Sequence, residues 1–563
     1  MILVFNNFLG NNKETIKSDG FGYYDYLVSI FIENDLVRKD FTILRNPEEF
    51  ERTRSLENGK VAFGIYLPYG ERNVNKYSCG EALMLAPFFL ATLSTLPDQT
   101  QLSGYEKPFQ MAVFYGALFY VFLGLIFFRL LCALYLIKPW LIFVMQITMV
   151  FGTGVLHYSY FDAAFSHVYS MSAMCAFLYT SKAWFEGRSF RYLICAAALF
   201  GMVFLLRQVN VLVILALPFL AGSTQVIRER LSSLIANPIQ VILGVIAFSG
   251  VASIQFILWY LQTGDFILYS YQNEGFNFLQ PRWADLLFSY QKGLFVYYPV
   301  LLFSLVAVVW MFSQKRVYEA LTWLFWFVAV VYVSSAWWSW DYGASFGQRP
   351  FIDYLPLFFL VIGMMFSALA IWKVAILTLI MSLSVPFNLI QTYQYQHFIL
   401  HWHRMNKESY WKVFLKTDLK YRYWIWGRNP QYNKLKKVHE VLVGDITIKE
   451  ASERVIFSLP LDSLYSRGWF DVCRVSFENE FALDENGSMI ARIVSDNPSE
   501  PHFIHGVPLF QFEMEGTDKL QTGSYGFKWE MINEPNAKFQ LLVRDVSDTF
   551  HLKDLKLIMY SRS

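Results

Sequence analysis

The sequence predicts a polytopic α-helical membrane protein of about ten spans, two of them half-helices, followed by a C-terminal extracytoplasmic β-sandwich. Hydrophobic residues make up 55% of the chain, aromatic residues 19% and charged residues only 16%. With a mean hydropathy of +0.32, this is more apolar surface than a soluble core needs. From Phe109 to about Ile371 the chain is a succession of apolar runs of about 20 residues, the length that crosses a bilayer as a helix. From about residue 430 the pattern changes to short alternating segments: Ile490-Ala491-Arg492-Ile493-Val494, Phe510-Gln511-Phe512-Glu513-Met514 and Phe539-Gln540-Leu541-Leu542-Val543. Turn residues such as Asp484-Glu485-Asn486-Gly487 separate them, the signature of strands with one buried face.

Taken in order, the opening MILVFNNFLG is too short to span and lacks the cationic front of a signal peptide, so it reads as the tail of a truncated first helix. Residues 1–108 form a first extracytoplasmic loop, in which EALMLAPFFLATL (81–93), with Glu81 and Pro87 inside it, is a helix lying in the interface. Residues 109–395 are the transmembrane domain, with full spans near 109–132, 138–156, 167–184, 238–261, 293–313, 318–335, 351–371 and 374–391. The run 190–222 is too long for one span, yet both flanks are basic. It therefore rises, turns at Arg207-Gln208-Val209-Asn210 and descends as two half-helices. Residues 396–429 connect to the sandwich at 430–563.

Sidedness follows from the retention of Lys and Arg in cytoplasmic loops. Arg129 and Lys138, Lys182, Arg188 and Arg191, Arg228 and Arg230, Lys315 and Arg316, and Lys373 mark those loops. The alternate segments, 1–108, 157–166, 262–292, 336–350 and the tail, face outward, as on the periplasmic side of a bacterial inner membrane. A net charge of +2 and the lack of a basic tract exclude nucleic acid as a partner. The five cysteines show no metal-binding spacing; Cys79 and Cys473 both fall outside the cytoplasm, where they could pair. The sequon Asn486-Gly487-Ser488 matters only in a glycosylating host.

Several outward residues are candidates for chemistry. SDGFGYYDYL (18–27) sets Asp19 beside Gly20 and the paired Tyr23 and Tyr24, one base next to a sugar-sized pocket. His157, Asp162 and His167 have a spacing conceivable for a metal, but such residues at a membrane surface more often hydrogen-bond, and no cofactor is required. Arg207, at membrane depth, calls for a wet cavity or an anion, with Gln208 and Asn210 beside it. Lys292 stands where a span meets the outer surface and is placed to hold a phosphate or a lipid headgroup. In Gly343-Ala344-Ser345-Phe346-Gly347-Gln348-Arg349, two glycines let the backbone approach a ligand, and Arg349 supplies an anion contact.

At these residues the chain resembles the C-type glycosyltransferase superfamily (GT-C), polytopic enzymes that include protein mannosyltransferases and the aminoarabinose transferases of lipid A. SDGFGYYDYL, EALMLAPFFL, Ser166-His167, Arg207-Gln208-Val209-Asn210, Lys292-Gly293-Leu294-Phe295 with Pro299, and SFGQR at 345–349 carry the resemblance, over roughly residues 15–395. It implies that Asp19 is the active-site acid of the first outer loop. Protein mannosyltransferases have Asp-Glu where this chain has Asp19-Gly20, which counts against a protein acceptor of their type. Trp340-Asp341-Tyr342-Gly343 is similar to an oligosaccharyltransferase motif, but that motif lies in a soluble domain after the spans.

The expected activity is transfer of a sugar, with inversion, from a polyprenyl-phosphate donor to a hydroxyl of a glycan, lipid or protein. Asp19 serves as base; Arg207, Lys292 and Arg349 hold the phosphate; Tyr23, Tyr24, His167, Gln208, Asn210, Ser345 and Gln348 hold substrate. The rival readings are a transporter or flippase of lipid-linked sugars and a non-catalytic glycan-binding scaffold.

Overall fold

The computed structural model describes residues 15–37, 55–57, 60–62, 65–69, 72–96, 102–271, 274–397, 399–403, 405–418, 421, 436–449, 451–460, 463, 472–479, 488–494, 503–508, 513–517, 520–528, 538–546 and 550–561. MILVFNNFLG, residues 484–487 of the predicted turn, Asn486-Gly487 of the sequon and Phe510-Gln511-Phe512 lie outside the described residues. The chain divides into two compact units, Met1–Tyr395 with Met405–Tyr410 and Gln396–Arg404 with Trp411–Ser563.

The first unit is helical. Its elements are α1 (Asp19–Phe31), strands β1 (Ser55–Glu57), β2 (Lys60–Ala62), β3 (Tyr66–Tyr69) and β4 (Arg72–Asn75), then α2 (Gly80–Thr95), α3 (Lys107–Leu134), α4 (Pro139–Phe151), α5 (Val155–Tyr160), α6 (His167–Phe185) and α7 (Arg191–Leu206). A 3-10 helix, Gln208–Ala216, leads into α8 (Leu217–Ala221), α9 (Thr224–Ala236), α10 (Pro238–Thr263), α11 (Trp283–Phe288) and α12 (Leu294–Tyr297). The unit continues with α13 (Pro299–Ser313), α14 (Val317–Ala336), α15 (Leu355–Ala368) and α16 (Ile371–Gln396). Proline opens α3, α4 and α10, where its missing N–H leaves no bond unmade. Gly222 and Gly264, at φ 80° and 89°, close α8 and α10 in the left-handed conformation.

Among the described residues, α3, α10, α14 and α16 are long and apolar enough to cross a membrane, which marks an integral membrane protein. The other predicted spans are helical but shorter or less apolar, and several are interrupted at one end. The run 138–156 breaks at Gly152 between α4 and α5; α13 begins with a 3-10 turn at Pro299; and residues 349–352 form a 3-10 helix before α15. Of these, Arg349 and Pro350 line the site described below.

The predicted turn at Arg207 is present. Arg207 is extended, with φ −156° and ψ 116°, between α7 and the 3-10 helix. A sharper bend of 111° follows between the stretch Gln208–Ala221 and α9. Ser223 caps α9 by accepting from the Val226 N–H at 3.3 Å. Arg230 donates to the Phe185 carbonyl and Lys182 to the Leu220 carbonyl, so cations predicted to be cytoplasmic close two helix ends.

The second unit contains two antiparallel sheets. β5 (Lys436–Ile448), β7 (Val472–Asn479), β10 (Glu513–Thr517), β11 (Leu520–Lys528) and β13 (Phe550–Ser561) run in the order β10-β11-β7-β13-β5. β6 (Ala451–Pro460), β8 (Ser488–Val494), β9 (Phe503–Pro508) and β12 (Lys538–Val546) run in the order β6-β12-β8-β9. Cys473, Val475 and Phe477 of β7 share one apolar cluster with Met489 and Ala491 of β8 and Phe539, Leu541 and Val543 of β12. Their period of two identifies the covered face. Cys79 and Cys473 are each a free, buried thiol.

Leu541, at 1% exposure inside that cluster, sets a test of the second unit. Leu541→Ala should cost about 2–5 kcal/mol in denaturant unfolding of the full chain, whereas Lys538→Ala at an exposed position should stay within about 0.5 kcal/mol.

Candidate active site

The helical unit encloses a cavity of about 350 Å³ lined by residues from every segment predicted to face outward except the tail. Ser18, Asp19, Tyr23, Lys76 and Tyr77 come from the first loop, Phe165 and His167 from the second, and Tyr269, Tyr271, Glu274 and Phe276 from the third. Trp337, Trp338, Tyr342 and Arg349 come from the fourth, and the Arg207 break contributes Arg207 to Asn210. Aromatic rings and charged groups alternate around the wall, the mixture that suits a polar ligand with apolar faces.

Asp19 is the first residue of α1. Its position is set by close backbone packing at the glycines that follow. A Cβ on Gly20 would lie 2.6 Å from the Ala164 carbonyl oxygen, and one on Gly22 would strike the Tyr77 ring. Arg349 Nη1 reaches Asp19 Oδ2 at 2.6 Å, and the Tyr77 hydroxyl donates to Oδ1 at 2.8 Å. Burial pulls the Asp19 carboxyl upward, but the Arg349 charge, the Tyr77 hydrogen bond and the Lys76 charge outweigh it and leave the group below its ordinary range. Burial lowers the Arg349 guanidinium, and Asp19 more than restores it, so the net direction is upward. Burial also pushes the Tyr23 hydroxyl up to about 12, which keeps it a neutral donor.

A second charge cluster lies across the cavity. Asp353, fully buried, faces His167 Nδ1 at 2.8 Å through Oδ1 and accepts from Asn210 Nδ2 at 2.7 Å through Oδ2. Arg207 Nη1 is 3.8 Å from the same Oδ2 and 3.3 Å from His167 Nε2. Arg207 Nη1 lies closer still to His167 Nδ1, at 2.9 Å; because the Asp353 carboxylate only accepts, Nδ1 carries the proton that it shares with Oδ1. Asn210 also donates to Ser170 at 2.7 Å. A third pair, Lys76 and Glu274 at 2.7 Å, joins the first and third outer loops, with the ammonium over the Tyr77 and Tyr271 rings.

Of the predicted site residues, Asp19, Tyr23, His167, Arg207, Gln208, Asn210 and Arg349 meet in this cavity. The other predicted residues do not line it. Tyr24 follows Tyr23 on α1 and is turned about 100° away; it donates to the Gly104 carbonyl at 2.7 Å and packs on Phe89. Lys292 is 1% exposed and donates to the Asp341 carbonyl and Ser345 Oγ, each at 2.8 Å, and to the Gly343 carbonyl. Burial pushes its amine down to about 7. Lys292 therefore clamps the fourth loop instead of offering charge to a phosphate, and Ser345 belongs to that clamp. Gln348 is buried, its amide 3.5 Å from the Trp340 carbonyl.

The glycines of the fourth loop also differ from expectation. Gly347, at φ 58°, approaches a tyrosine and not a ligand: a Cβ there would lie 2.5 Å from the Tyr298 hydroxyl. The Tyr298 and Tyr158 hydroxyls both donate to the Phe346 carbonyl, at 2.9 and 3.0 Å, and so fix the backbone that presents Arg349. In the second loop, His157 is 2.8 Å from Asp162, which also pairs with Lys17 at 3.0 Å, while His167 turns to Asp353. Of the three residues weighed as metal ligands, His157 and Asp162 thus pair with each other and His167 pairs with Asp353.

The sequence did not point to Lys76, Tyr77 or Asp353, and Glu274 stood out only as one polar residue of the loop 262–292. Asp353 had a signal, being a lone acid at the mouth of an apolar run, where an ionisable residue marks function. Lys76, Tyr77 and Glu274 lie in polar loops where periodicity carries no information. No family model matches the chain, and no curated protein matches its sequence.

Asp353→Ala should strand Arg207 and unpair His167 and Asn210, costing about 3–5 kcal/mol in thermal unfolding of the detergent-solubilised protein. Gly347→Ala should lower the melting temperature as well, through its positive φ and the Tyr298 collision, without touching a charged group.

Proposed function

We propose that the protein is a membrane glycosyltransferase of the GT-C type, moving a sugar from a polyprenyl-phosphate donor to a hydroxyl acceptor on the extracytoplasmic face. The supporting observation is the meeting of one acidic side chain, Asp19, with two guanidinium groups, Arg207 and Arg349, in one aromatic-walled cavity. On this reading the helical unit makes about ten spans, with the Arg207 break as the turn between half-helices. The two sheets of the second unit form a sandwich on the same side as the cavity, in the periplasm of a bacterium.

The chemistry needs one base. A phosphate leaves without protonation, so the acid and base carboxylate pair of a glycosidase is not required. Asp19 removes the proton from the acceptor hydroxyl, and the hydroxyl oxygen attacks the anomeric carbon from the face opposite the phosphate. The bond from that carbon to the phosphate oxygen breaks, and its electron pair stays on the phosphate. The products are an inverted glycoside, a protonated Asp19 and a polyprenyl phosphate carrying one more negative charge. Arg349 and Arg207 hold that charge in a wall of low polarisability, where such contacts are strongest. Tyr269, Tyr271, Trp337 and Trp338 offer ring faces to the C–H surface of the sugar. A transporter of the same donors needs an exit on both faces, whereas the cavity draws most of its lining from the predicted outer segments and the Arg207 break.

With a panel of radiolabelled polyprenyl-phosphate sugars, Asp19→Asn should lower transfer by a factor of about 10²–10⁴ while the purified protein keeps its elution volume and still binds donor. Normal transfer by that variant would remove the base assignment. Arg207→Ala and Arg349→Ala should raise the KM for donor more than that for acceptor; unchanged donor kinetics would reject their role.

A further inference from the structure

Resting on the donor reading above, we infer that the Asp19–Arg349 ion pair is a latch opened by the donor's phosphate, so that the base is released only when the donor is in place. Both Asp19 oxygens are occupied, Oδ2 by Arg349 at 2.6 Å and Oδ1 by the Tyr77 hydroxyl at 2.8 Å. A carboxylate held by a guanidinium at that distance is a poor proton acceptor, since protonation sacrifices a charge-assisted bond.

Arg349 is equipped to change partners. Its guanidinium lies over the Phe165 ring at 5.2 Å, and its Nε is buried with no hydrogen-bond partner among the described residues. Arg207, which also lines the cavity and touches His167 at 2.9 Å, is only loosely matched in charge, 3.8 Å from a carboxylate that is also committed to His167 and Asn210. An anion between the two arginines gains charge-assisted bonds from both and competes with Asp19 for Arg349.

Charge balance selects Asp19 as the group released. Arg349 is balanced by Asp19, Lys76 by Glu274 and Arg207 by Asp353. A phosphodiester brings one more negative charge. Asp353 is fully enclosed, and Glu274 also lies 3.4 Å from the Trp338 indole nitrogen. Asp19 borders the cavity and its one ion pair is to Arg349, the arginine an anion would seek, so that pair is the one an incoming phosphate can replace. The acceptor then meets a carboxylate held by Tyr77 alone, and addition is ordered with the donor first.

The test measures polyprenyl phosphate, the lipid product common to every such donor, binding to the full-length protein in nanodiscs. The latch predicts that Asp19→Asn binds it about tenfold more tightly than the unaltered protein, because Arg349 no longer has to leave a carboxylate. That gain should vanish when Asp19→Asn is made in an Arg349→Ala background. Equal or weaker binding by Asp19→Asn overturns the latch, as does an undiminished gain without Arg349, which would be simple removal of a nearby negative charge. Both results leave the donor reading standing. Failure of the unaltered protein to bind polyprenyl phosphate overturns the donor reading, and the latch with it.

Discussion

Charge facing a low-dielectric wall must be paired, and in this protein that constraint fixes where the outer segments lie. Arg349 is neutralised by Asp19, Arg207 shares Asp353 with His167 and Asn210, and Lys76 takes Glu274. Each partnership joins residues far apart in the chain. None is worth much as net stability, because desolvation offsets most of the attraction. Breaking one, however, strands a charge, so the pairs specify an arrangement more than they stabilise it. Loops rich in Tyr, Trp, Asn and Gln have many possible packings; the requirement that three cations find three carboxylates removes most of them.

Backbone approach does the rest. Gly20 and Gly22 let α1 settle against Ala164 and Tyr77, which puts Asp19 at the cavity with little freedom to move. Gly347 lets the fourth loop lie on Tyr298, while the Tyr158 and Tyr298 hydroxyls hold the Phe346 carbonyl and Lys292 holds the Asp341 carbonyl. The base and its cation are thus carried by segments whose geometry is set by neighbours outside the site. Segments held in this way keep their place when a ligand arrives, so that only the ion pair between them has to change partners.

The membrane class, the four long spans, the break at Arg207 and the strands around Ile490 and Leu541 were legible in the sequence, because each rests on length or periodicity, which are local. Of the cavity's charged residues, Arg207 was legible from its place inside an apolar run and Asp19 and Arg349 from the glycine-bearing loops that carry them, while Asp353, a lone acid beside an apolar run, was not picked out. The site was misread where direction mattered more than position. Tyr24 and Lys292 neighbour true lining segments but point elsewhere, Tyr24 because consecutive helical residues diverge and Lys292 because three acceptors of one loop capture its ammonium. Span lengths were overestimated for a related reason. Hydropathy records where the chain is apolar, and Gly152, Pro299 and Pro350 end or loosen regular helix inside apolar runs.

Those loosened ends explain why polar chemistry gathers at one level of the fold. Backbone that leaves the helix near a membrane must lie in protein or beside water, since lipid cannot satisfy its N–H and C=O groups. Arg207 is extended there, and Arg349 opens a 3-10 helix; both line the cavity. Once such a space exists, its walls tolerate charge that the lipid-facing surfaces of α3, α10 and α14 do not. The unwound segments and the paired ions therefore require each other. The breaks make the wet cavity in which the ions can be held, and the ions, through Asp353 behind Arg207 and Asp19 beside Arg349, hold the broken segments where no helical hydrogen bond would.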